Sequence, residues 1–333
     1  MKLGVHDLLI REQGKTNQDV FNDTKKMVTE LDKLGYDRYW FAEHHGFENL
    51  LSVAPEILAT YFLSNTENIV IGTGGTMIMH YSPLKVAETF KTMAELAPGR
   101  VDLGIGRAPG SGPLEIRALN QGYPNKSSQL YDKIKIILDY LEDKEPNDPI
   151  FSRVKAVPMN NEKLVMPWML GSTGQAAPVA AEWGMPYSHA KFFAVETPDY
   201  VFKDYKENFK PSNFADKPYI SMSYKMLIAD DKDELEYLGK AFDYFHLQQA
   251  RGRQKGLVSP EDVKDYEFDL NEKALLKKSY ESRFILKGTK KEIADILYDE
   301  ISRFDLDEIL AFTPIYGVEN RINTYKALKE IFE

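Results

Sequence analysis

Four short β-type runs begin near Leu3, Tyr36, Ile69 and Val101, roughly 32 residues apart. That interval is the length of a strand plus the crossover helix that returns the chain to the next parallel strand. The helices can be read in between. Phe21, Met27, Val28, Leu31 and Leu34 recur at helical spacing within residues 20–34, and Gly35 supplies a C-terminal stop. A second helix is predicted over 55–64. A third opens at Ser82-Pro83, with serine as N-cap and proline as first helical residue. An irregular stretch, 108–161, follows the fourth strand and holds one amphipathic helix at about 130–141. Alternation then resumes: "LVMPWMLGS" with a helix at 175–183, "MPYSHAKF" with 199–208, "YISMSYKMLIA" with 232–246, and "EILAFTPIY" with a helix from Glu319. Eight strands, each with a trailing helix, predict an α/β fold of the (β/α)8 TIM-barrel type rather than a doubly wound sheet.

The expected organisation is a single domain over 1–333, with insertions at about 108–161 and 250–283. The second insertion is highly charged. It reads equally as a mobile lid on the barrel mouth or as a solvated surface excursion. A hydrophobic fraction of 43% supports a large core, and a net charge of −9 argues against nucleic acid or an anionic membrane surface as partner. There are no cysteines, so disulfides, thiolate metal sites and cysteine nucleophiles are excluded. "MKLGVHDLL" lacks the pattern of a signal peptide, and no run reaches the ~18 apolar residues of a membrane helix. A soluble cytoplasmic protein is expected.

In such a barrel the chemistry gathers where strands end. Strand one ends at His6-Asp7, strand two at Glu43-His44-His45, strand three at Gly74-Gly75, strand four at Arg107 and strand five at Ser172-Thr173-Gly174. His80 lies in the third loop, and strand six ends near Ser188-His189. The glycines of "VDLGIGRAPGSG" nearly spell a dinucleotide fingerprint, but two prolines follow where a helix should open. A metal site is disfavoured, because strand one offers His6 alone and adjacent strand residues such as His44 and His45 point to opposite faces. An anionic ligand suits the pattern better. Arg107 supplies a positive fork, and Ser172, Thr173 and Gly174 would offer amides and hydroxyls at a helix N-terminus, the arrangement that binds phosphate. Gly74-Gly75 either lets a flat group press on the backbone or merely turns the chain.

"YWFAEHHG", "IGTGGTMIMHYSPLKVAETFKTMAELAPGRVDLGIGRAPG" and "FTPIY" resemble the bacterial-luciferase-like family of flavin-dependent monooxygenases. The resemblance runs from about Leu3 to Gly112, resumes over 169–183 and again over 288–332. It implies a barrel that binds FMN, or in one branch F420, at its C-terminal mouth. Arg107 falls at the family's flavin-phosphate position and Ser172, Thr173 and Gly174 match its phosphate-cradling loop. Gly74-Gly75 falls where the family has a non-proline cis peptide under the isoalloxazine. His44 matches the catalytic histidine, a general acid/base whose ordinary pKa lies near working pH. His45 is its usual companion, although strand geometry favours a buried structural role for it. The implied reaction takes reduced flavin from a separate NAD(P)H:flavin reductase, adds dioxygen to give a C4a-hydroperoxide, and oxidises a small molecule such as an aldehyde. Homodimers are implied as well. Gly106 stands where luciferase proper has a cysteine, so light emission is not expected. His6, Leu9, His45, Met77, His80 and Phe192 are the candidate substrate-pocket residues. An F420-dependent oxidoreductase and a non-catalytic flavin-binding protein are the alternatives.

Overall fold

A computed structural model describes residues 1–106, 110–123, 129–159, 165–193, 197–253 and 256–333. Its strands are β1 (Lys2–Asp7), β2 (Arg38–Phe41), β3 (Val70–Thr76), β4 (Val101–Ile105), β5 (Met166–Gly171), β6 (Tyr187–Ala190), β7 (Ile220–Ala229), β8 (Ile285–Thr289) and β9 (Glu308–Phe312). The helices are α1 (Asn17–Lys33), α2 (Pro55–Leu63), α3 (Pro83–Leu96), α4 (Pro113–Leu119), α5 (Leu130–Leu141), α6 (Ala177–Glu182), α7 (Asp199–Glu207), α8 (Lys232–Ala250), α9 (Pro260–Val263), α10 (Leu270–Glu281), α11 (Lys290–Phe304) and α12 (Val318–Ile331).

Strands β1 to β7 pair in parallel in chain order, β7 pairs with β9, and β9 returns to β1. The eight predicted strands thus close a (β/α)8 barrel. β8 is a ninth strand that the alternation did not reveal. β7 is ten residues long; its first half pairs with β9 inside the barrel, and Lys225–Ala229 pair with β8 beyond the rim.

Both faces of the barrel strands are buried, yet they differ in chemistry. Outward-facing Leu3, Val5, Tyr39, Ile71, Leu103 and Met222 join Val28, Leu31, Phe90 and Leu328 from the helices in one apolar cluster. The inward face carries a buried ion cluster at one end. Arg38 pairs with Asp102 and, through Nε, with Glu308 Oε1 at 2.5 Å. Asp102 also accepts from Trp40 Nε1 at 2.8 Å, and Glu308 from the Tyr219 hydroxyl at 3.0 Å. Trp40, Trp168 and Leu310 form the next apolar layer. Gly104 is required here, since a Cβ would stand 2.1 Å from the carbonyl oxygen of Thr73 on β3. That is one physical origin of the glycines in "VDLGIG": close strand approach inside a packed barrel.

The 250–283 segment is anchored along its described residues. Leu257 exchanges backbone bonds with Arg11 and Gln13, and His246 Nε2 of α8 lies 2.9 Å from Ser279 Oγ of α10. Glu272, Leu276 and Ser279 of α10 are buried. Helix starts follow the predictions closely, but Ser82, although it precedes α3, makes no side-chain capping bond. No helix among the described residues is long and apolar enough to cross a membrane.

Candidate functional site

Above the Trp40–Trp168 layer, at the C-terminal ends of the strands, lies a cavity of about 360 Å³. Inward alternation explains its composition: residues two apart on a strand share a face, so His6 follows Gly4, Ala42 follows Trp40, Leu170 follows Trp168, and Ser223 follows Ser221. The structure brings His6, His44, Gly74, Gly75, Met77, Ser172, Thr173 and Phe192 to this cavity. Arg107 lies outside the described residues.

Four predicted residues do not line it. Leu9 is fully buried in the main apolar cluster, held at φ 47° with its N–H on Asp7 Oδ1, and Leu8 lines the cavity instead. Alternate residues from Gly4 and His6 lead to Leu8 and not to Leu9, so the strand pattern carried one step past Asp7 gives the residue observed. His80 turns to Asn120, its Nδ1 3.2 Å from Oδ1. Gly174 makes a turn at φ +81° against Val201. His45 bonds Glu43 Oε1 through Nε2 at 2.8 Å, the hydrogen-bonded structural placement. β2 has already ended at Phe41, so His44 and His45 diverge in irregular backbone and not across a strand. His189 also lies outside the cavity: it faces outward, fully buried between Tyr187 and Thr197.

Ser172 and Thr173 reach the cavity by a different route from the one expected. The helix after β5 starts only at Ala177 and spans six residues, so these two residues belong to a loop and not to a helix N-terminus.

Glu43 organises the rim. Fully buried, it accepts at Oε1 from His45 Nε2 (2.8 Å) and the Tyr81 hydroxyl (2.6 Å), and at Oε2 from the Met77 N–H (2.8 Å). One carboxyl thereby ties the loop after β2 to the loop after β3, and both loops contribute cavity walls. His44 is further held by its N–H on the Ser52 carbonyl at 3.0 Å. Burial lowers the pKa of His44 to about 4, against a raising influence from Glu43. His6 is likewise lowered to about 4 by burial, with the Gly74 carbonyl opposing and His44 assisting. Both rings are therefore neutral at pH 7. For His44 the shift is away from the ordinary imidazole value and follows from burial.

The peptide between Gly74 and Gly75 is cis and sits on the cavity wall. A Cβ on Gly75 would meet Leu170 Cδ1 at 2.6 Å and the Gly104 carbonyl at 2.7 Å. Among the described residues, three polar atoms of the lining are buried with no partner: His6 Nδ1, His44 Nδ1 and Ser223 Oγ. Buried polar atoms are ordinarily satisfied, so these point to groups supplied by a ligand. Apolar walls from Leu8, Ala42, Leu170 and Ala176, a bare glycine ledge and unpaired polar edges fit a flat heterocycle. Among the described residues, no three His, Asp or Glu side chains come together as metal ligands. Leu8, Leu170 and Ser223 went unnoticed in the sequence because small or aliphatic strand residues carry no chemical signal. Strand alternation alone could have found them.

Comparison with known proteins completes the picture. The model of the luciferase-like monooxygenase family matches residues 1–303. The chain belongs to this family. A luciferase-like monooxygenase of Escherichia coli K12 is 30% identical over 330 residues, covering 98% of this chain and 96% of its own. The crystal structure of apo-MsnO8 superposes with a TM-score of 0.89 at 27% identity, covering 99% and 98% of the two chains. Two more distant structures share the fold. One is the oxygenating constituent of 3,6-diketocamphane monooxygenase from Pseudomonas putida in complex with FMN (TM-score 0.70, 15% identity, 99% and 97% covered). The other is an F420-dependent secondary alcohol dehydrogenase (0.69, 17%, 99% and 97%). Membership makes this luciferase-like protein an oxygen-incorporating oxidoreductase, with neighbours that use FMN or F420.

Proposed function

We propose that the protein is a reduced-FMN-dependent monooxygenase acting on a small organic molecule without light emission. The observation that carries this reading is the cavity itself: a glycine ledge and apolar walls at the barrel mouth, edged by unpartnered His6 Nδ1, His44 Nδ1 and Ser223 Oγ. Gly74 and Gly75, with Leu170 and Ala176, would hold the ring system, and Arg107 with Ser172 and Thr173 the phosphate. When bound, reduced FMN supplies the electrons with which dioxygen is activated. The chain's own residues do the rest. Leu8, Ala42 and Phe192 exclude water from the reacting groups. His44, neutral because it is buried, offers one nitrogen as proton acceptor and the other as hydrogen-bond donor. Reduced cofactor comes from a separate NAD(P)H:flavin reductase, and the working unit is a cytoplasmic homodimer.

The test is rapid mixing. Protein loaded anaerobically with reduced FMN is mixed with oxygenated buffer while absorbance is followed. A persistent spectrum distinct from both reduced and oxidised flavin is expected. Immediate oxidation of FMN known to be bound would overturn the oxygenase reading. Failure of reduced FMN to bind would overturn the FMN assignment, and F420 would be titrated in its place.

A further inference from the structure

Met77, a wall of the cavity, is braced from a side that the Glu43 carboxyl does not reach. After β3 the chain makes a 3-10 turn, Ile78–His80, closed by the His80 N–H on the Met77 carbonyl at 3.0 Å and the Tyr81 N–H on the Ile78 carbonyl at 3.2 Å. Lys133, half-buried on α5, sends its ammonium onto carbonyls of this turn and its exit: Met79 at 2.9 Å, Tyr81 at 3.0 Å and Ile78 at 3.5 Å. An ammonium has three N–H donors, which matches three converging carbonyls. Ile78 and Met79 are buried, and a buried carbonyl left without a donor is costly. Met77 in turn supports the next loop. Its Sδ lies 3.8 Å from where a Cβ on Gly106 would stand, and a Cβ on Gly110 would meet its Cε at 2.6 Å. Gly106, Gly110 and Met77 all line the cavity. Helix α5 thus reaches the cavity wall through one side chain, although no described residue of α5 lines the cavity itself.

We propose that Lys133 is a positioning residue for the cofactor site: its ammonium locks the turn after β3, so that Met77 stays against Gly106 and Gly110 and the cavity keeps its shape. The proposal rests on the FMN reading for the identity of the ligand, but not for the placement of Met77. Carbonyl oxygens that converge on one point need a cation or N–H donors between them. A side chain without donors at 133 would therefore let the turn relax and carry Met77 with it. Lys91 of α3 offers a matched comparison. It too is a buried lysine on carbonyls, those of Ala156 at 2.9 Å and Tyr140 at 3.3 Å, and it pairs with Asp143. Its partners lie at the other end of α5, and none of them lines the cavity.

The experiment compares the full-length parent with Lys133→Ala and Lys91→Ala. The Met77 methyl resonance is followed in protein labelled with ¹³C-methyl methionine and free of FMN, assigned through Met77→Leu. FMN affinity is measured by titration and Tm by calorimetry. Both lysine variants should lower Tm. Only Lys133→Ala should move the Met77 resonance, and only it should weaken FMN, by about tenfold, as loss of charge-assisted hydrogen bonds allows. Ammonium chloride supplies a small cation for the three carbonyls and should restore both readouts in Lys133→Ala, whereas choline chloride at the same concentration should not. Lys133→Met, which keeps the stem and lacks the donors, is carried in parallel in case the alanine variant does not fold; it should show the same two changes without recovery in ammonium. An unmoved Met77 resonance in the Lys133 variants, an equal loss of FMN affinity in Lys133→Ala and Lys91→Ala, or the same response of Lys133→Ala to both salts would each overturn the proposal. Failure of the parent itself to bind FMN would overturn the cofactor reading alone, and the Met77 resonance with its recovery in ammonium would then decide on Lys133.

Discussion

Replacing Glu43 by glutamine is the sharpest test of how the site is held. The carboxyl accepts three hydrogen bonds, at 2.8 Å from His45, 2.6 Å from Tyr81 and 2.8 Å from the Met77 N–H. Glutamine keeps the shape and one acceptor oxygen. If that oxygen stays on His45 and Tyr81, the new NH₂ faces the Met77 N–H, donor against donor. If it flips, His45 and Tyr81 lose their acceptor instead. Either way a buried donor is left unsatisfied, costing about 1–3 kcal/mol. With 333 residues and about 2 cal/mol/K of unfolding entropy per residue, ΔS at the midpoint is ~0.7 kcal/mol/K. The expected fall in Tm is therefore about 1.5–4 °C, and FMN affinity should weaken with it because Met77 and His44 both line the cavity. Calorimetry and an FMN titration on the same preparations check this. A Tm within about 0.5 °C of the parent, with FMN affinity unchanged, would show that Glu43 does not hold the two loops together.

Three further outcomes follow from the structure. Gly75→Ala places a Cβ 2.7 Å from the Gly104 carbonyl oxygen, so β3 and β4 must shift at the ledge, and FMN affinity should drop by about tenfold or more; unchanged affinity would remove the ledge from the binding site. His6, His44 and His189 are each lowered to about 4 by burial, so the unfolded chain binds protons that the folded chain does not between pH 6.5 and 4. Stability should accordingly fall as pH drops through that window, by about 1–2 kcal/mol per imidazole at pH 5; denaturant midpoints at pH 7 and 5 measure it, and a slope unaltered by His6→Leu would contradict the assignment. Lys225, lowered to about 7 by burial, releases its proton on folding, so stability should rise between pH 7 and 10.5. Lys225→Met should flatten that rise and stabilise the protein at pH 7 by about 1–3 kcal/mol, the lost bond to Gln249 Oε1 partly offsetting the gain; a less stable variant at pH 7 would refute this.

The barrel was legible because its dictating signal is periodic. Predicted and observed helices agree to within a few residues at α1, α2, α5 and α7, since each buries a stripe that the sequence must repeat every three to four residues. β8 escaped because "ILKGT" is five residues long and mixed in character, and its existence depends on the unusual length of β7. α4 was hidden in the irregular stretch for a related reason: it has no buried residue and hence no periodic stripe. Of the site, residues with reactive side chains at strand ends were found, and His6, His44, Met77, Ser172, Thr173 and Phe192 do converge. His80 and Gly174 were misplaced because loops obey no period, and Leu9 because alternation from His6 turns Leu8 inward in its place. Asp7 captures the Leu9 N–H, Asn120 captures His80, and the turn at Gly174 delays the helix to Ala177.

The sequence by itself determined the alternation of strand and helix, the inward and outward faces of each strand, and the family, because all three are written in short-range pattern. Only the tertiary structure decided that Glu43 clamps two loops and that His45 serves that clamp. It also left His6 and His44 neutral with unpaired nitrogens. These depend on burial, and the clamp and His6 also on distant partners, such as Met77 and Tyr81 for Glu43 and Gly74 for His6. Desolvation and long-range hydrogen bonding arise only once distant segments are packed, and no local window of the chain contains them.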